Sequence, residues 1–249
     1  MYKNFLLAGF GLLFIFSSCS SVYMPNVPST PMLTKAGEFH GGAHISLKGN
    51  LSANTAFAVS DHFALMANGS IMNNNRSKKD FKQTLLEGGL GYFDTFGPDK
   101  RRVFEVYAGY GIGNTDRSYK DLTYEGPIVT EVQEVRFNKF FVQANYSAKK
   151  KKDLKLFGNK YPLNYGTALR ISHVGMQDFT KNNISQPLEN NIFLEPIFFT
   201  RMYISKTAQL QYTSGSTFGL INRDYLTAGN SVFTIGIVFN VGGVPEKKN

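Results

Sequence analysis

The chain predicts an all-β fold, an antiparallel up-and-down transmembrane β-barrel of about ten strands, with eight as the alternative. Three observations predict it. The closing stretch Ser231 to Asn240 places Phe233, Ile235, Ile237 and Phe239 on one face and Thr234, Gly236 and Asn240 on the other, a period of two. Most other segments repeat that alternation, and no amphipathic helix is evident that could form a second layer over the oily faces. The composition of 249 residues includes 22 Phe, 13 Tyr and 24 Gly, and no Trp. Aromatic residues girdle membrane interfaces and Gly relieves crowding where strands bend, so both enrichments suit a barrel. Many one-sided strands without a covering layer are hidden most simply by closing the sheet and facing its outside to lipid.

The chain begins with the features of an exported protein. Lys3 is followed by the apolar run Phe5 to Phe16 and then Ser17-Ser18-Cys19-Ser20, which gives a positive start, a short apolar core and small residues before a cysteine. The run is too short for a stop-transfer helix. Phe16-Ser17-Ser18-Cys19 resembles a bacterial lipobox, although Phe16 stands where Leu is commonest. That resemblance implies cleavage before Cys19, lipidation of its thiol and loss of residues 1–18. An ordinary secretory signal with an incidental cysteine is the alternative. With a single Cys, a disulfide within one chain is excluded. Residues 19–37 follow as a tether, in which Pro25, Pro28 and Pro31 favour an extended, semi-rigid chain.

The barrel is expected over 38–241. Strand one, Glu38 to Lys48, turns Phe39, Ala43, Ile45 and Leu47 one way and His40, His44 and Ser46 the other. Strand two, Leu51 to Ser60, and strand three, Phe63 to Met72, agree in phase across the turn Ser60-Asp61-His62. The cationic stretch Asn73 to Asp80 reads as a loop. Strands four, Thr84 to Asp94, and five, Val103 to Asn114, meet across the turn at Gly97, and a long loop through Pro127 follows. Strand six, Val135 to Ser147, carries Phe137 and Phe141 out of phase with Phe140 and Val142, which suggests a bulge near Lys139. Strands seven (Asn164 to Val174), eight (Asn191 to Tyr203) and nine (Ala208 to Ser214) precede the last one. Pro196 is uncomfortable in strand eight because it cannot donate to the ladder. Residues 242–249 form a polar tail. Ten strands put both ends of the barrel on one side, expected to be periplasmic.

The inward face collects Glu87, Glu105, Arg170 and Glu195 with Gln143, Gln209, Gln211, Asn54, Asn68, His40 and His44. Unpaired buried charge costs several kcal/mol, so these groups should pair with one another and fill a narrow lumen. A proton or ion path lined by Glu87, Glu105 and Arg170 is the functional alternative. Ser172 and His173 are adjacent, but alternation sends them to opposite faces and denies them a nucleophile–base pair. His40 and His44 stand too far apart along a strand to grip one metal unaided. No catalytic residue, metal or cofactor is therefore expected. The run Lys149, Lys150, Lys151 and Lys152 is a basic patch suited to anionic headgroups or an acidic partner, or simply a solvated turn. The net charge of +9 points the same way, while no recognition motif supports nucleic acid.

Taken together, signal, tether and barrel resemble the small porin-like outer-membrane β-barrel lipoproteins of Gram-negative bacteria of the Bacteroidota type. The resemblance implies an outer-membrane location and two anchors, the barrel in the lipid and the acyl chain on Cys19. Exported surface lipoproteins of that group carry acidic residues after the cysteine, and Ser20-Ser21-Val22-Tyr23 has none, so the acyl chain is expected in the periplasmic leaflet. The function expected is a structural or interaction subunit, in contact with outer-membrane lipids or within an outer-membrane protein complex. A small-solute channel or transporter, a lipid-modifying barrel enzyme and a lipid-hung soluble barrel of the lipocalin sort are the alternatives.

Overall fold

A computed structural model describes residues 21–149, 153–156, 158–227 and 230–242; Cys19, Lys150, Lys151, Lys152 and residues 243–249 lie outside them. Ten long strands close into one antiparallel barrel: β1 (Phe39–Ser46), β2 (Asn50–Ala58), β3 (Phe63–Asn75), β4 (Lys79–Phe96), β5 (Arg102–Thr123), β6 (Gly126–Lys149), β7 (Leu163–Lys181), β8 (Asn190–Tyr203), β9 (Ala208–Gly219) and β10 (Asn230–Val241). Each strand pairs with the next, and β1 pairs with β10 from Phe39 opposite Val241 to Ser46 opposite Thr234, which leaves the barrel without an edge. Two minor pieces, a hairpin of Leu154–Leu156 with Asn159–Tyr161 and the pair Ile184–Ser185, decorate the connections.

The alternation sets what faces out. Phe233, Ile235 and Ile237 are 42%, 53% and 47% exposed, and Leu65, Leu90, Ile112, Val142, Ile171 and Phe198 continue the apolar belt around the wall. So much apolar surface left outward on consecutive strands is the exterior of a membrane barrel, not of a water-soluble one. At one end of the belt aromatic rings pack in pairs, Phe63 with Tyr92 and Phe96 with Tyr146. That end carries the short turns through Asp61 and Gly97 and the end of β10, and is called the Gly97 end. The opposite end carries the tip of the β5–β6 hairpin and is called the Tyr124 end.

Two expected loops are strand, and a third strand is longer than expected. The β3–β4 connection shrinks to a turn closed by a hydrogen bond from the Arg76 N–H to the Lys79 carbonyl at 2.9 Å. The presumed loop through Pro127 is a paired ladder up to Thr123 opposite Gly126, and β7 runs on to Lys181. A strand needs only about ten residues to cross a bilayer, so the upper parts of β4 to β7 stand clear of the apolar belt as a polar collar. Outward polar residues there, such as Asp116 and Glu134, are why these parts read as loop from sequence.

One further expectation is corrected. No bulge occurs at Lys139: Phe137, Lys139 and Phe141 all face inward in an unbroken ladder, and the register with β7 shifts instead where Arg136 faces Asp178 and Phe137 faces Met176, leaving Gln177 as the extra residue. Pro196 behaves as expected: the β8–β9 ladder loses its rungs at Glu195 and Pro196 while the register on either side is kept, and Pro196 stays opposite Leu169 of β7.

Candidate functional site: a filled lumen

The lumen is occupied by the chain's own N-terminal segment. Residues 21–34, here called the strap, run extended through the bore, and Val22, Tyr23, Val27, Ser29, Thr30 and Leu33 are all buried. The expected tether is thus extended, but it lies inside the barrel rather than below it. Pro25, Pro28 and Pro31 carry no N–H, which removes donors that would otherwise need partners in the bore.

Wall side chains satisfy much of what remains. Near the Tyr124 end the Val22 N–H donates to the Tyr225 carbonyl at 3.1 Å and Thr115 donates to the Val22 carbonyl at 2.8 Å. Gln83 pairs with both backbone groups of Met24. Lower down, Gln143 and Asn145 donate to the Ser29 carbonyl at 2.6 and 3.1 Å, and Arg201 donates to the Thr30 carbonyl and hydroxyl. Asn240 holds the Pro31 carbonyl at 3.1 Å, and the Leu33 N–H donates to Glu105 at 3.3 Å. The strap then turns back through Met32, at φ 61, and Gly37, at φ 78, to enter β1; Glu38 accepts from the Thr34 N–H at 2.7 Å and Asp61 from that of Ala36 at 2.9 Å.

A compact charge cluster crosses the middle of the bore beside Tyr23. Glu87 lies 2.9 Å from the Lys139 ammonium and 3.0 Å from Arg170, and Lys139 also reaches Glu195 at 3.3 Å. Two cations thus face two anions, a balance that buried charge requires. Asn68 donates to Glu87 at 3.1 Å, Arg170 donates to Gln143 at 2.8 Å, and the Tyr23 hydroxyl donates to Glu195 at 3.1 Å. The Arg170 guanidinium also covers the Phe141 ring at 4.4 Å, and Lys139 lies 5.4 Å from the Tyr23 ring.

Of the four acidic and basic residues expected in the lumen, Glu87, Arg170 and Glu195 come together. Glu105 does not join them. It sits nearer the Gly97 end and accepts from Asn145, Tyr107 and the Leu33 N–H. Lys139 was missed although it completes the cluster; continuing the inward phase from Asn145 and Gln143 through Phe141 would have found it. His40 and His44 are both buried, His40 with Asn240 at 3.0 Å and His44 with Asn54 at 3.2 Å. Ser172 faces the lumen and His173 the exterior, so they form no pair. Lys149 lines a polar basin of about 1030 Å³ at the Gly97 mouth with Lys100, Arg101, Asp153 and Arg201, and the strap's Met32 and Thr34 border the same basin.

No family model and no curated protein matches the chain. Among solved structures it is similar to the translocator domain of autotransporter NalP from Neisseria meningitidis, at 11% identity over 81% of this chain and 86% of that one, with a TM-score of 0.49. It is also similar to a Pseudomonas aeruginosa FadL homologue, at 10% identity over 89% and 94% with a TM-score of 0.28, and to a bacterial polysaccharide outer membrane secretin, at 5% identity over 84% and 98% with the same score.

Proposed function

We propose that the protein is an outer-membrane β-barrel lipoprotein that acts as a structural or interaction subunit, with a lumen closed by its own strap. The observation that carries this reading is the occupancy of the bore by residues 22–33, pinned by Gln83, Gln143, Asn145 and Arg201 and crossed by the Glu87–Lys139–Glu195 and Glu87–Arg170 pairs. A bore filled in this way leaves little room for water, and the charges of the Glu87 cluster are spent on one another. The belt around Ile235 supports insertion in a bilayer, and the polar collar supports an exposed face for contact with a partner. Acylation of Cys19 gives the second anchor. No catalytic step is assigned to any residue.

The test is electrical. The purified protein, reconstituted in a planar bilayer, inserts without giving a steady ionic current. A stable single-channel conductance from the intact chain overturns the reading in favour of a small-solute channel.

A further inference from the structure

The strap has its start and its finish at opposite mouths. Val22 is held by Thr115 and Tyr225 near the Tyr124 end, Ser29 by Gln143 and Asn145 lower in the bore, and Ala36 by Asp61 at the Gly97 end. An extended chain rises about 3.1 Å per residue, so residues 22–34 cover roughly 37 Å, enough to pass a hydrocarbon core of about 30 Å. The stretch from Ser21 back to Cys19 spans at most about 7 Å. Ser21 thus stands at the Tyr124 end of a bore that residues 22–34 already occupy.

We infer that the chain is threaded through its own barrel, so that the mature N-terminus emerges at the Tyr124 end, on the cell surface, opposite the C-terminal end of β10. This rests on the outer-membrane reading above. The tall collar of β4 to β7 marks the Tyr124 end as the outer one, since barrels of this class keep their short turns in the periplasm and build upward outside. An acyl chain on Cys19 then enters the outer leaflet, the reverse of what the missing acidic residues imply. The order of assembly follows as well. An acylated end is too bulky to pass a bore lined by inward Arg201, Arg170 and Phe141, so the wall closes around a strap already in place.

Labelling on intact and permeabilised cells of a diderm host tests this. An epitope inserted between Ser20 and Ser21 reports the N-terminus; Ser20→Cys, read with a membrane-impermeant maleimide, does so without an insertion. Tyr124→Cys and Asp99→Cys report the two ends, and the unsubstituted chain is the blank. The expected result is that the epitope, Ser20→Cys and Tyr124→Cys react fully on intact cells, while Asp99→Cys gains several-fold on permeabilisation and the blank stays unlabelled. If the epitope and Ser20→Cys react only after permeabilisation while Tyr124→Cys reacts before it, threading is overturned and the membrane barrel stands. If Asp99→Cys alone reacts on intact cells, the surface placement is overturned. If neither end gains on permeabilisation, the outer-membrane reading itself fails. Labelling of the blank overturns acylation of Cys19.

Discussion

The side-chain amide of Gln83 forms a two-point pair with the backbone of Met24, donating to its carbonyl at 2.6 Å and accepting from its N–H at 2.8 Å. A wall residue here supplies to the strap what a neighbouring strand would supply in a sheet. Gln83→Leu removes both bonds and leaves two half-buried backbone groups unpaired, at a cost of up to about 1–3 kcal/mol in all. Thermal unfolding of the refolded protein in detergent should show a lower midpoint, and limited proteolysis should reach the strap before the wall. A variant whose strap stays protected would show that Gln83 is not what holds it.

The charge cluster predicts strong coupling. Glu87→Leu leaves Lys139 and Arg170 with Glu195 as the remaining acid of the cluster, and breaking a buried pair from one side typically costs about 3–5 kcal/mol. Adding Lys139→Met to Glu87→Leu removes one of the stranded cations and should recover much of the loss. A double-mutant cycle in urea checks this. Simple additivity of the two substitutions would refute a shared cluster.

Depth across the wall should be measurable. Ile235→Arg places a charge in the apolar belt and should destabilise by about 2–4 kcal/mol, whereas Leu122→Arg, near the tip of the collar, should cost about 0–1 kcal/mol. Both positions are outward and more than half exposed, so burial in protein does not separate them. Equal effects in lipid vesicles would place both sites in the same medium and remove the belt.

Gly91 lies against the Tyr107 ring, and a Cβ there would overlap it, while a Cβ on Gly88 meets only the Met66 carbonyl at 4.0 Å. The Tyr107 hydroxyl is fixed on Glu105 at 3.1 Å, so the ring has little freedom to yield. Gly91→Ala should therefore destabilise by about 1–3 kcal/mol and Gly88→Ala should be nearly neutral, as read from denaturant midpoints.

The wall was largely legible before any coordinates. Inward Glu87, Glu105, Arg170, Gln209 and Gln211, and outward Phe233, Ile235 and Ile237, all follow from parity, because a strand cannot turn two successive side chains to one face. What failed, failed for a physical reason. Polar outward residues such as Asp116 and Glu134 made the tops of β5 to β7 read as loops, since the alternation that betrays a strand fades where lipid gives way to water. Lys139 was hidden between Phe137 and Phe141, two rings whose departure from the outward phase suggests a bulge, because the sequence did not reveal anything inside the barrel for them to touch. Phe137 in fact packs edge-on against Tyr23, at 5.6 Å between centroids.

By itself the sequence determined the closed sheet and the faces of its side chains, for these depend on local periodicity, and it put the strand count at about ten with eight as the alternative. Tertiary structure alone decided that residues 21–34 lie within the bore. Their extended, proline-spaced chain has no pattern that favours inside over outside. Only donors contributed by β4, β6, β8 and β10, far apart in sequence and brought together when the barrel closes, make the lumen the place where that backbone is satisfied.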